Sequence, residues 1–292
     1  MTSPRSTNLA VSIKARLLNL ARSTHRPYPE VLQYFGMERF LYRLAESQYS
    51  NRFVLKGALL FHVWKIQDAR ATRDIDMLSI AENSPENIEN LLSNICDFKT
   101  DCSDGIIFDA DSLSTEIMQS QREYEGIRVR FRGNLDSTRI PMQIDLGFGD
   151  LITPAPVKLT YPTLLDFPAP HLRGYPVETV LAEKLHTMVE KGMLNSRVKD
   201  YHDAWVLLRW AQHDEKTLKQ ALEKTFSQRG IKLDLLQLLK TIDLYGLKED
   251  RQTIWEQYCR KRGDEVTSQN LREICTDLLQ MLRFLEEEII VE

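Results

Sequence analysis

Lys56-Gly57-Ala58, followed by Arg70-Ala71-Thr72-Arg73-Asp74-Ile75-Asp76, decides how this chain is read. Residues 74–79 read as a strand, with Ile75 and Met77 on one face and two aspartates on the other. Side chains two apart on a strand point the same way, so Asp74 and Asp76 can converge on one point. Upstream, Gly57 lets the backbone come close to a ligand. The apolar segment 58–64 reads as a helix whose first N–H groups would face a phosphate. Thr72 and Arg73 flank the pair and can add phosphate contacts. Two carboxylates beside such a loop suit Mg²⁺ and a nucleoside triphosphate, which makes nucleotide transfer the reading to test. Alone, an Asp-x-Asp also fits a solvated strand end, and the surroundings have to decide.

Residues 126–132 alternate strictly, Ile127, Val129 and Phe131 against Arg128, Arg130 and Arg132. Residues 140–146 alternate again, Met142, Ile144 and Leu146 against Gln143 and Asp145. Gly133-Asn134 and the residues after it supply turn chemistry, so the two runs are expected to pair antiparallel with one apolar face. Asp145 then becomes a third carboxylate on the polar side, able to share a metal or accept a proton from an attacking hydroxyl. The plainer alternative is a surface aspartate opposite a strand arginine. Asp150 reads as a turn residue. Helical spacing marks 12–22, 29–47 and 85–96, and 53–55 is a short buried strand or a helix entry.

The chain has 292 residues, 42% hydrophobic and 27% charged, the proportions of an ordinary globular protein. A net charge of -4 does not advertise nucleic-acid binding, although local patches outweigh the sum. Arg128, Arg130 and Arg132, with Arg70, Arg73 and Arg122, could track an RNA backbone or form a solvated strand face. Four cysteines lack Cys-x-x-Cys spacing and read as free thiols. His62, His186 and His202 lack metal-ligand spacing, and Trp64, Trp205, Trp210 and Trp255 read as core. No apolar run approaches the ~20 residues of a membrane helix. The first 15 residues lack a signal-peptide core, so a cytoplasmic protein is expected.

Six prolines between residues 152 and 176 argue against regular structure there and mark a boundary. Beyond it, 177–191, 198–212, 215–228, 233–242, 250–261 and 268–288 all read as helices. The expected division is an α+β domain at 1–165 and a helical domain at 166–292 that contributes to the active site. In the helical half, Lys184 lies off the core stripe of 177–191. Asp200 and Asp203, one turn apart, share a face. A lysine near a metal-bound triphosphate would neutralise charge developing in phosphoryl transfer, and an exposed helix pair with a solvated lysine is the plain alternative.

Taken in order, six elements resemble the AbiEii/AbiGii-type toxin family. They are residues 38–44 (Glu-Arg-Phe-Leu-Tyr-Arg-Leu), 53–57, the Arg70-x-Thr72-x-Asp74-Ile75-Asp76 motif, 144–150, Ala182-Glu183-Lys184-Leu185, and Lys199-Asp200-Tyr201-His202-Asp203. They span roughly residues 30–210; the helical tail beyond carries no matching motif. The resemblance implies a DNA polymerase β-like nucleotidyltransferase domain, a mixed sheet with flanking helices, followed by an all-helical C-terminal domain. It implies Mg²⁺ held by Asp74 and Asp76 with Asp145 as third carboxylate, an NTP substrate contacted by Lys56, Gly57, Ala58, Thr72 and Arg73, Lys184 as the essential lysine, and Asp203 or Asp200 as the downstream acid. It also implies transfer of nucleotides to tRNA 3′ ends, a block on translation, a role in toxin–antitoxin or abortive phage-defence systems, and a separate antitoxin, often with a winged-helix domain. The wider superfamily has Gly-Ser where this chain has Gly57-Ala58, so Lys56, Thr72 or backbone N–H groups must replace a hydroxyl contact. Two rivals stand beside this reading: transfer to a small molecule or a protein, and a catalytically silent binding module.

Overall fold

The structure is a computed structural model and describes residues 4–80, 82, 84–118, 126–262 and 270–285, with side chains from residue 9 onward. The chain forms two compact units: residues 1–63, 71–150 and 157–174, and residues 64–70, 151–156 and 175–292.

The first unit is built on a seven-stranded sheet. Its strands are β1 (Phe53–Lys56), β2 (Ile75–Ser79), β3 (Ile106–Met118), β4 (Gly126–Leu135), β5 (Thr138–Phe148), β6 (Val157–Thr160) and β7 (His171–Gly174), in the order β3-β4-β5-β2-β1-β7-β6. β2 runs parallel to β5 and β1 parallel to β7; the other pairs are antiparallel. The helices are α1 (Pro4–Ser23), α2 (Tyr28–Glu46), the single turn α3 (Leu60–Val63) and α4 (Pro85–Cys96).

Alternation in β4 and β5 sorts the sheet into two faces. Ile127, Val129, Phe131, Met142, Ile144 and Leu146 are all buried. Phe40 of α2 packs edge-on against Phe108 and tilted against Phe131, at 5.5 and 5.2 Å between ring centroids. Gly36 of α2 lies so close that a Cβ there would come 3.0 Å from Ile140. This helix is buried without interruption from Val31 to Leu44, so it forms the centre of the core, and the charged side chains of the sheet point away from it.

The second unit is helical: α5 (Val177–Lys191), α6 (Val198–Trp210), α7 (Glu215–Gln228), α8 (Leu235–Gly246), α9 (Glu249–Arg262) and α10 (Leu271–Met281). Local chemistry sets the ends. Asp214 and Asp234 cap α7 and α8 by accepting from Thr217 N–H and Gln237 N–H. Asn270 and Glu273 form a capping box at α10. Gly192, at φ +46°, ends α5 in a conformation that side chains disfavour. Inside, Tyr201 and Tyr245 stack with centroids 3.9 Å apart.

A mixed sheet with flanking helices, consistent with a polymerase β-like nucleotidyltransferase domain, is thus followed by an all-helical region. Several local expectations need correction. Segment 58–64 is helical as expected but short, a 3-10 turn (Gly57–Leu59) running into the single α-helical turn α3. Gly133 and Asn134 belong to β4, and Asp136-Ser137 makes the turn, with Asp136 at φ +56°. The proline-rich segment holds β6 and β7, whose prolines lie outside the paired residues. Trp210 is exposed (41%), unlike buried Trp205 and Trp255. The expected helix at 268–288 falls partly outside the described residues, and Arg122 lies outside them.

Candidate active site

One row of in-register residues crosses five strands of the first unit. Glu116 of β3 lies opposite Arg128 of β4, Arg128 opposite Asp145 of β5, Asp145 beside Asp76 of β2, and Asp76 opposite Lys56 of β1. Cross-strand neighbours share a face, so the row reads acid, base, acid, acid, base on the side away from α2. The like-charge neighbours are Asp145 and Asp76. Strand spacing sets their backbones about 4.8 Å apart, and their repulsion at an effective dielectric near 20 is of order 3 kcal/mol.

Each flank of that pair is engaged. Arg128 grips Asp145 with both arms of its fork, Nε to Oδ1 at 2.8 Å and Nη2 to Oδ2 at 2.6 Å. Gln143 Nε2 adds a bond to Oδ1 at 3.2 Å. Hydrogen bonding to Asp145 outweighs partial burial and, with the fields of Asp145, Asp74 and Glu116, holds the guanidinium more firmly protonated than usual. On the other side, Lys56 Nζ meets Asp150 Oδ2 at 2.9 Å. That partner is the aspartate read as a plain turn residue; Gly147-Phe148-Gly149, with Gly149 at φ +75°, places it there.

Gly57 is at φ +72°, and a Cβ on it would lie 2.1 Å from Asp76 Oδ2. Only glycine fits there, so the Asp76 carboxylate lies against bare backbone. Ala58 is buried at 4%. Asp74 lies one residue before β2 in a bend. The Thr72 hydroxyl is 3.4 Å from both its N–H and its carbonyl oxygen, and Thr72 N–H donates to Tyr34 Oη at 3.0 Å. Thr72, itself buried, thereby shapes the Asp74 bend. Arg73 is exposed, with its carbonyl held by Gln33.

Among the described residues, no cluster of three or more His, Cys, Asp or Glu side chains is arranged to hold a metal ion. The donors present still suit Mg²⁺, a hard cation that takes one or two carboxylates and completes its shell with substrate phosphates and water. Asp74 and Asp76 would supply that oxygen set, and Gly57 keeps the approach to Asp76 free of a Cβ.

The arginine face is charge-matched. Arg130 pairs with Glu116 at 2.7 Å, Arg132 with Asp109 at 2.8 Å, and Arg128 with Asp145. Strand alternation could not show that each would meet an acid.

Within the second unit, Lys184 Nζ meets Asp203 Oδ2 at 2.7 Å, and Arg70 approaches both Asp203 oxygens at 3.0–3.2 Å. Asp200 lies 3.7 Å from Lys184 and 2.8 Å from Arg197. Asp203 is fully buried. Burial pushes its carboxyl up, but Lys184 and Arg70, with hydrogen bonds from His202 and Lys184, hold it well below the usual range. Burial, then the nearby Arg70 and Arg197, pushes the Lys199 ammonium down. Four cations (Arg70, Lys184, Arg197, Lys199) thus surround two carboxylates. His202, whose protonation burial disfavours, sits against Arg262 and Tyr258 behind Asp203. Sequence reasoning assigned Arg70 to a general basic surface; its bond to Asp203 is a tertiary contact that no local pattern reports.

Two solved chains from Helicobacter pylori are similar in structure. JHP933 is 15% identical, with 86% of this chain and 89% of that chain covered and a TM-score of 0.46. The second, described as a candidate nucleotidyltransferase, is 15% identical with 86% and 92% covered and a TM-score of 0.45. No curated protein matches at a significant level. The family described as nucleotidyl transferase AbiEii toxin, type IV toxin–antitoxin system, matches residues 39–276. That span takes in the sheet carboxylates and the Lys184–Asp203 pair alike, and the chain belongs to this family of nucleotidyl transferase toxins.

Proposed function

We propose that the chain transfers a nucleotidyl group from an NTP to the 3′ hydroxyl of an RNA, with tRNA 3′ ends as the acceptor, and thereby blocks translation in the cytoplasm. The observation that carries this is the in-register pair Asp76–Asp145 beside Gly57, with Asp74 two residues upstream. It sets two carboxylates side by side where the backbone lies bare.

Asp74 and Asp76 would hold Mg²⁺, which when bound supplies Lewis-acid polarisation of the phosphate and charge neutralisation. Backbone around Gly57 and Ala58 would approach the triphosphate, with Lys56 and Arg73 adding positive charge. Lys184 would stabilise the negative charge that collects on departing pyrophosphate, with Arg70 beside it on the same buried carboxylate. Asp203 acts as the positioning residue for both cations, and Asp200 tethers Arg197 near them. Asp145 is the third sheet carboxylate. Family membership brings a cognate antitoxin, and we propose a winged-helix protein for that role. No described helix is long and apolar enough to cross a membrane.

A second reading, transfer to a small molecule or a protein hydroxyl, draws on one observation: each β4 arginine already meets a carboxylate. Competition separates the two. Saturating tRNA should suppress labelling of protein and small acceptors if RNA is the substrate. Undiminished labelling of a non-RNA acceptor would favour the second reading.

A further inference from the structure

Residues 64–70 belong to the helical unit yet form no helix or strand. Lys65 and Asp68 both take left-handed backbone, at φ +53° and +61°, which is costly for a residue other than glycine. With no ladder of its own, the segment depends on side-chain contacts for its course. Ile66 is buried, and Arg70 ends the segment on Asp203. Between them the Asp68 carbonyl accepts from Arg262 Nη2 at 2.8 Å. Arg262 is the last residue of α9, 194 positions away in sequence.

The same guanidinium reaches the neighbourhood of the buried carboxylate. Its Nη1 lies 2.8 Å from His202 Nε2 and donates to Tyr258 Oη at 3.2 Å. A guanidinium only donates, so this His202 nitrogen accepts, and burial disfavours a charge on the ring. His202 precedes Asp203 in the chain, with Nδ1 4.0 Å from Oδ1. One side chain thus holds both the segment that carries Arg70 and the ring beside the carboxylate that Arg70 meets.

We propose that Arg262 is a positioning residue for nucleotidyl transfer: it fixes Arg70 against Asp203 and so sets the pair of cations, Arg70 and Lys184, that this carboxylate holds. This rests on the reading of Lys184 and Arg70 as cations for the departing pyrophosphate.

The test measures transfer from labelled NTP to tRNA by wild type, Arg70→Gln, Arg262→Gln and the double variant, with melting temperature and hydrogen exchange in parallel. Arg262→Gln should lower kcat about 100-fold, the scale of a displacement near 1 Å, with KM for the NTP within about threefold of wild type. The double variant should be within about threefold of Arg70→Gln, because both changes undo one arrangement; independent losses would multiply. Arg262→Lys, which keeps the charge and a donor, should recover part of kcat. Arg260→Gln, exposed on the same helix, should leave it unchanged. Exchange at residues 65–70 should quicken in Arg262→Gln while α8 stays protected, which separates a loosened segment from general unfolding. The inference fails if Arg70→Gln is slow while Arg262→Gln keeps the wild-type kcat, or if the two losses multiply. A melting temperature far below wild type with exchange quickened throughout would make Arg262 a structural residue and overturn it too. If wild type transfers no label, or Arg70→Gln matches it, the reading of the cations falls, and this inference with it.

Discussion

Lys184 and Asp203 meet at 2.7 Å inside the helical unit, and the carboxylate is fully buried with Arg70 on its other side. An aspartate so enclosed works through the cations it holds. Removing a buried partner leaves uncompensated charge and costs about 3–5 kcal/mol. Asp203→Asn should therefore lower the melting temperature much more than Lys184→Met, whose loss leaves Arg70 on the carboxylate. Both should reduce nucleotidyl transfer. Because the Asp203 carboxyl is held below its unfolded value, its contribution is present above about pH 4 and is lost as pH falls below it. Asp203→Asn should flatten acid unfolding in that window, as circular dichroism against pH would record; equal melting temperatures for the two variants would refute the assignment.

Gly57→Ala should disable the sheet carboxylates directly. The added Cβ would lie 2.1 Å from Asp76 Oδ2 at a residue with φ +72°, so Asp76 must move. A displacement near 1 Å costs about 100-fold in rate. Transfer by Gly57→Ala should fall by at least that much, in a protein that still folds by circular dichroism. Wild-type activity would show that Asp76 has no part in the chemistry.

Arg130 and Arg132 are half-exposed and each already paired. Exposed pairs contribute about 0–1 kcal/mol. Arg130→Glu and Arg132→Glu should each weaken tRNA binding, measured by filter retention at fixed salt, by less than about threefold. A much larger loss would place the RNA track on β4 after all.

His62 packs edge-on against Tyr34, with centroids 4.5 Å apart. Burial, then Arg26, pushes its imidazolium down from 6.5 to about 4. The unfolded chain binds this proton first, so stability should drop as pH falls from about 6.5 towards about 4, by roughly 1–3 kcal/mol. Glu38, raised by burial to about 7, works oppositely: its contribution is present below about 4.5 and lost as pH rises towards 7. The difference in unfolding free energy between wild type and His62→Gln isolates the histidine; a pH-independent difference would refute it.

The helices were legible because each joins an apolar stripe to a chemical stop. Pro85–Cys96, Val177–Lys191 and Glu215–Gln228 fall where spacing, the Ser84 and Asp214 caps and Gly192 put them. β3 was missed because it is an edge strand with a register shift between Asp109 and Ser114, where half-exposed positions break the alternation. β6 and β7 were hidden by neighbouring prolines. The Asp-x-Asp was legible as chemistry, but its neighbours depend on register. A two-residue turn at Gly133-Asn134 would have put Arg128 opposite Arg139; the turn at Asp136-Ser137 puts it opposite Asp145. The Arg70–Asp203 bond joins residues 133 positions apart and leaves no local trace.

The central claim is that Asp74 and Asp76 serve nucleotidyl transfer from NTP to RNA. Purified wild type, Asp74→Asn and Asp76→Asn are incubated with total tRNA, Mg²⁺ and each α-labelled NTP in turn, and the RNA is resolved on a denaturing gel. The account predicts label at the RNA 3′ end with at least one NTP for wild type and none for either variant. Label from no NTP with any RNA, or undiminished transfer by Asp76→Asn, would contradict it.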